Sequence, residues 1–165
     1  MTRTLLSAAF VLALAGTAQA REYTEKAPAP TDPTEREIAA LFDRWNNTLA
    51  TGKPEQVAAL YAENGVLQPT VSNWMRKGRE EVADYFVKFL ALQPKGVINS
   101  RDIQKVDEDT AIDAGIYTFT LTEAGKTRQV QARYTYVYEK IDGEWKIALH
   151  HSSAMPEPVK HLAAN

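Results

Sequence analysis

The sequence predicts an α+β domain in which a group of helices packs on a curved, mainly antiparallel sheet. Two observations carry that prediction. Apolar residues recur at helical spacing as far as Leu92 and at alternate positions from Val97 onward, so helices come first and strands follow. Second, Gln129 to Glu157 reads as two long strands joined at Asp142-Gly143, a dipeptide that supplies the two positive-φ positions a type I′ hairpin turn demands.

Taken in order, the first twenty residues carry an early Arg3, an apolar run from Leu5 to Ala15, and Ala18-Gln19-Ala20 in the small-x-small arrangement a signal peptidase accepts. We read residues 1–20 as a cleaved export signal, which places the protein in the periplasm or outside the cell and predicts a mature chain starting near Arg21, with no stable membrane anchor once the signal is removed. Residues 21–33 interleave Pro, Ala and charge without a period, the composition of an extended tether. Thr34 to Glu37 fits a capping box, and Ile38, Leu41, Phe42, Trp45 and Leu49 follow on one helical stripe down to Gly52. A second helix starts near Pro54, shows Val57, Leu60 and Tyr61 on one side, and stops at Asn64-Gly65. Gly65 to Thr70 predicts a short strand, and Val71 to Lys77 a connector whose Trp74 needs something to cover. The third helix, Gly78 to Leu92, presents Val82, Tyr85, Phe86, Phe89 and Leu90 before Pro94 and Gly96 end it. Strands follow over Val97 to Val106 and Thr110 to Leu121, then the hairpin. The fold therefore occupies residues 34–157, with a C-terminal tail over 158–165.

An Asp142-Gly143 turn fixes the pairing of the hairpin. Ile141 faces Glu144, and counting outward pairs Tyr138 with Ile147, Tyr136 with Leu149 and Tyr134 with His151 on one face. Arg133 with Ser152, Thr135 with His150, Val137 with Ala148 and Glu139 with Lys146 take the other. A bulge would exchange the two faces.

Composition excludes several classes of function. There is no cysteine, so disulfides, thiolate metal sites and cysteine nucleophiles are all ruled out, and the core alone must hold the domain. Removing the signal takes only Arg3 from 19 basic residues, against 21 acidic ones, a balance that argues against a nucleic-acid partner. His150 and His151 are neighbours on a strand and point to opposite faces, so they cannot chelate one metal together; no metal or cofactor is expected.

The order of elements, together with Gly52-Lys53-Pro54, Leu60-Tyr61, Gly78, Tyr85-Phe86 and the run from Tyr136-Val137-Tyr138 through Asp142-Gly143, Trp145 and Ile147 to His151-Ser152-Ser153, resembles the NTF2-like (SnoaL-like, DUF4440-type) superfamily with its cystatin-type α+β cone. Within it the chain is most similar to the association, or hub, domain of calcium/calmodulin-dependent protein kinase II and its stand-alone bacterial homologues. The resemblance implies three N-terminal helices on a curved sheet, self-association into a homodimer or higher oligomer, and a small-molecule pocket. At the positions that align with the hub's basic pocket residues this chain has Val82, Tyr117, Tyr136 and Ser152, and of the polar set only His151 carries over.

The predicted pocket is the open end of the cone, formed by Trp74, Tyr117, Tyr134, Tyr136 and His151, while Tyr138, Trp145 and the first helix close the other end. This reading is of a non-catalytic binding domain for an unknown small molecule. The alternative is a small isomerase, dehydratase or hydrolase of the ketosteroid isomerase or SnoaL type in the same cavity, with Asp113, the one acid inside the apolar Ala111 to Phe119 segment, beside Tyr134 and His151. The Ala114-Gly115 that follows Asp113 reads as a possible bulge. Arg133 faces away from the core, and Arg76 and Arg101 read as solvated.

Overall fold

Asp32 starts the first helix. In the computed structural model, which describes residues 21–162, its carboxylate accepts from the backbone N–H of Thr34 at 2.8 Å and of Glu35 at 3.1 Å, with Pro33 in the first turn. The cap is therefore Asp32 and not the predicted Thr34 box, because a carboxylate at a helix start also meets the positive end of the helix dipole. The predicted signal, residues 1–20, lies outside the described residues. Helix α1 (Pro33–Leu49) buries Ile38, Phe42, Trp45 and Leu49 almost completely. Each such side chain contributes about 1.5–3 kcal/mol of transfer free energy.

Helix α2 is only Pro54–Ala58, and β1 (Tyr61–Gln68) follows at once. The predicted longer helix fails at Leu60-Tyr61. Tyr61 is fully buried on a strand that pairs in parallel with the last strand of the chain, and the backbone N–H of Ile147 donates to the carbonyl of Leu60 at 2.9 Å. Asn64-Gly65 is then a bulge in β1 and not a helix stop. A Cβ on Gly65 would lie 2.8 Å from the Ile147 carbonyl oxygen, so this approach needs glycine.

The remaining elements are β2 (Arg76–Lys77), α3 (Gly78–Leu90), β3 (Lys95–Lys105), β4 (Thr110–Glu123), β5 (Lys126–Ile141) and β6 (Glu144–Ala154). They form one six-stranded sheet in the order β2-β1-β6-β5-β4-β3, antiparallel except for β1 with β6, with the helices on one face. This is the predicted α+β architecture. Both long hairpins turn on two positive-φ residues: Ala124 and Gly125 join β4 to β5, and Asp142 and Gly143 join β5 to β6.

Pairing next to the second turn follows the prediction as far as Tyr138 with Ile147. Beyond it, Val137 pairs with Leu149, which leaves Ala148 as an extra residue on β6. This bulge reverses the outer half of β6. Tyr136 faces His150 and Tyr134 faces Ser152, while His151 pairs with Thr135 on the side away from the helices.

A second irregularity sits in β3, between Ile98 and Ser100. The expected bulge at Ala114-Gly115 is thus on the facing strand, and β4 itself pairs with β5 without interruption. Gly115 is required all the same, since a Cβ there would fall 1.9 Å from the Ser100 carbonyl oxygen. Asn46 ties β3 to α1 by donating to the Gly96 carbonyl at 3.0 Å and accepting from its N–H at 2.8 Å. Residues 21–32 form no helix or strand. They run along β3, with the Ala27 N–H donating to the Ile98 carbonyl and Gln131 donating to the carbonyl of Tyr23.

Candidate functional site

The helix-covered face of the sheet is aromatic from end to end. Tyr134, Tyr136 and Tyr138 of β5 are all buried, as are Tyr117 and Phe119 of β4. Phe42 and Trp45 of α1 meet this row at ring separations of 5.8–6.4 Å. Between the row and α3 a cavity of about 120 Å³ remains. Trp45, Phe86, Phe89, Phe119, Leu121 and Val130 are among its apolar walls, Pro69, Thr70 and Val71 lie on its β1 side, and Arg128 is an exposed cation on its rim.

One wall is polar. His150 stacks on Tyr136 with ring centroids 4.1 Å apart, and its Nδ1 is 3.0 Å from the Tyr61 hydroxyl. Its Nε2 is 3.5 Å from the Tyr117 hydroxyl, which donates to Ser152 Oγ at 2.5 Å; Ser152 in turn contacts the Thr70 hydroxyl. A hydrogen-bonded line of five residues therefore runs from the core to the β1 loop. Burial pushes the imidazole down to about 3, with the neighbouring His151 acting in the same direction, so His150 is neutral across the ordinary pH range. If Tyr61 donates to Nδ1, the tautomer is fixed and Nε2 carries a proton directed at the Tyr117 oxygen and the cavity. Burial also raises the phenol of Tyr117, which keeps it a donor.

A second polar cluster is sealed behind this wall. Asp113 is completely buried; its Oδ1 accepts from the Tyr134 hydroxyl at 2.8 Å and from Arg101 Nε at 3.1 Å. Arg101 Nη2 lies 3.1 Å from Oδ2 at an angle too poor for a hydrogen bond, so that half of the contact is purely an ion pair. Burial raises the carboxyl, outweighing the opposite pull of Arg101 and Tyr134. Asp113 is not part of the cavity lining.

The predicted site residues separate accordingly. Tyr117 lines the cavity. Tyr136 stands behind His150, and Tyr134 belongs to the Asp113 cluster. Trp74 is 56% exposed and lies over the guanidinium of Arg76 at 3.8 Å, while its loop neighbours Thr70 and Val71 reach the cavity. His151 is on the opposite face, where Nδ1 is 3.1 Å from Gln68 Oε1. It does not meet Asp113 or Tyr134, because the Ala148 bulge turns it outward and turns His150 in.

Trp145, half-buried, donates from Nε1 to Glu37 of α1 at 2.8 Å. Arg133 faces away from the core as expected and donates to Ser153 at 3.1 Å. Arg76 and Arg101, read as solvated, are instead largely buried, the first beside Asp84 and Trp74, the second beside Asp113. The residues missed from sequence are His150, Thr70 and Arg101, while Ser152, on the cavity wall, stands at a position that the resemblance aligns with the hub pocket. The adjacent His150-His151 pair was the one usable hint, since a bulge anywhere between the turn and the pair exchanges their roles. Among the described residues no group of three or more His, Asp and Glu side chains could hold a metal ion.

Comparison with known proteins agrees with this architecture. A solved Xanthomonas campestris protein assigned to the calcium/calmodulin dependent protein kinase II association domain superposes with a TM-score of 0.83 at 59% identity, covering 84% of this chain and all of its own. An NTF2-like protein with a cystatin-like fold from Novosphingobium aromaticivorans superposes at 0.63 with 16% identity, covering 81% of this chain and 96% of the other. The association domain of the C. elegans kinase superposes at 0.60 with 15% identity, covering 73% and 95%. At such identities the last two show the fold alone. A search of curated proteins gave no match. The chain has the cystatin-like fold of the Novosphingobium protein, and the sequence profile of the calcium/calmodulin dependent protein kinase II association domain matches residues 34–156, so it belongs to that family.

Proposed function

We propose that this protein is a self-associating domain that carries a small-molecule pocket on the helix side of its sheet and meets a second copy through the other side. The observation that carries the reading is a stripe on the open face. Val66, Leu149, Val137 and Ile112 are direct cross-strand partners over β1, β6, β5 and β4, each only half-buried, and together they make an apolar band four strands wide. Beside it Gln68, His151 and Thr135 form a polar row that ends on Ala114. Among the described residues, Tyr23, Glu25 and Leu162 lie against the far part of this face, around Asn99, Thr118 and Gln131. A self-complementary band of this kind suits a twofold contact, and the family description, an association domain, points the same way.

The pocket half of the reading rests on the cavity beside His150. No specific observation favours the catalytic alternative, whose acid, Asp113, is sealed away from that cavity and already occupied by Arg101 and Tyr134. Residues 1–20 fit the same reading as an export signal, testable by N-terminal sequencing from the native host, where a chain starting near Arg21 is the expected result. Self-association is tested by sedimentation of the chain from Arg21 onward at micromolar concentration. At least a dimer is expected, dissociated by Leu149→Glu; monomer mass for the unsubstituted chain would overturn it.

A further inference from the structure

We propose that the cavity beside His150 selects a neutral ligand the size of one six-membered ring that carries a single hydroxyl or carbonyl oxygen, set in the cavity against both His150 and Tyr117. This rests on the pocket reading above and narrows it to a chemical class. Size is the first argument. A closed apolar cavity of about 150 Å³ holds benzene, and this one, at about 120 Å³ with an outlet past Arg128, has room for a ring and little more.

The walls supply the second. Phe86, Phe89 and Val130 offer only apolar contact, so a purely polar ligand would lose its hydration without replacement. Third, the hydrogen bonds of the polar wall are unequally filled. Tyr117 spends its proton on Ser152 at 2.5 Å and keeps lone pairs, whereas His150 Nε2 has only a long 3.5 Å contact. With Tyr61 donating to Nδ1, an oxygen on the cavity side of this pair accepts from Nε2–H, and a hydroxyl also donates to the Tyr117 oxygen. A carbonyl uses the first bond alone.

Charge is excluded by the same wall. The imidazole is held neutral by burial, Asp113 neutralises Arg101 elsewhere, and Arg128 is exposed at the rim. An ionised ligand placed at depth would meet no opposite charge.

The test uses the chain from Arg21 onward, a span that includes residues 34–156, the whole of the association-domain match. Phenol, toluene and benzoate are titrated at pH 7, with binding read from amide chemical shifts of residues around the cavity. Phenol is expected to bind at least tenfold more tightly than toluene, and benzoate at least tenfold more weakly than phenol. His150→Phe should abolish the preference for phenol over toluene; if that variant fails to fold, Tyr117→Phe should reduce it.

Equal or tighter binding of toluene would overturn the oxygen-selective class and leave the pocket standing. Tighter binding of benzoate would overturn neutrality. Absence of binding by all three at millimolar concentration would overturn both this inference and the pocket reading, and an unchanged preference in either folded variant would remove the assigned residues.

Discussion

Protonating His150 should destabilise the fold, and the cost can be worked from its surroundings. The ring is buried between Tyr136 and Trp45, with Tyr61 on Nδ1, and burial pulls it from 6.5 to about 3. Because the folded value lies below the ordinary one, the unfolded chain binds the proton first. The stability this group contributes is complete above about pH 6.5 and is lost as pH falls toward 3. At about 1.4 kcal/mol per unit, the loss between pH 7 and pH 5 is about 2 kcal/mol. Asp113 acts in the opposite sense, since a raised carboxyl gains stability as pH falls through its folded value, but that contribution is common to the wild type and to a His150 variant. Urea unfolding of wild type and His150→Phe at both pH values isolates the histidine. The cavity alongside gives the larger ring space, so the variant should fold, less stably at pH 7 and with about 2 kcal/mol less dependence on pH. The same dependence in both proteins would refute the neutral, buried imidazole on which the site is built.

Three further substitutions test the packing around the site by denaturant midpoints. Asp113→Asn leaves Arg101 without its counter-charge and should cost about 3–5 kcal/mol, whereas a loss below about 1 kcal/mol would mean that the pair is not buried as described. Gly115→Ala places a methyl group 1.9 Å from the Ser100 carbonyl and should cost at least about 3 kcal/mol or prevent folding; a mild effect would show that β3 can move away. Tyr138→Phe removes a buried hydroxyl that has no hydrogen-bond partner among the described residues, so it should be neutral or stabilising by up to about 1 kcal/mol, and a clear loss would reveal a partner for that oxygen.

How far the sequence could be read depended on whether a feature was local. The α1 stripe, the stop at Gly52 and the Asp142-Gly143 turn are decided within a few residues, and all three are where periodicity and turn chemistry put them. Val57, Leu60 and Tyr61 share a helical face, so local periodicity predicts a helix at Tyr61; its strand is specified by parallel pairing with a segment some 85 residues later, which no local pattern carries. The site depended on one extra residue in β6. Ala148 is as good an alternating residue as any in that strand, so nothing in its neighbourhood announces a bulge, yet it decides which of two adjacent histidines enters the core. Arg101 and Asp113 were hidden in a similar way. Each is a charge in a strand, and only the cross-strand proximity of β3 and β4 shows that they bury one another.

The most direct test of the central claim, association through the open face of the sheet, uses the absence of cysteine from the chain. Val137→Cys puts one thiol in the middle of the apolar band, and Lys88→Cys puts one on α3, away from it. Under mild oxidation at micromolar concentration, the account predicts rapid covalent dimerisation of the Val137 variant, slowed by adding Leu149→Glu, and slow dimerisation of the Lys88 variant. Equal rates at the two positions would contradict it, as would a Val137 variant that stays monomeric.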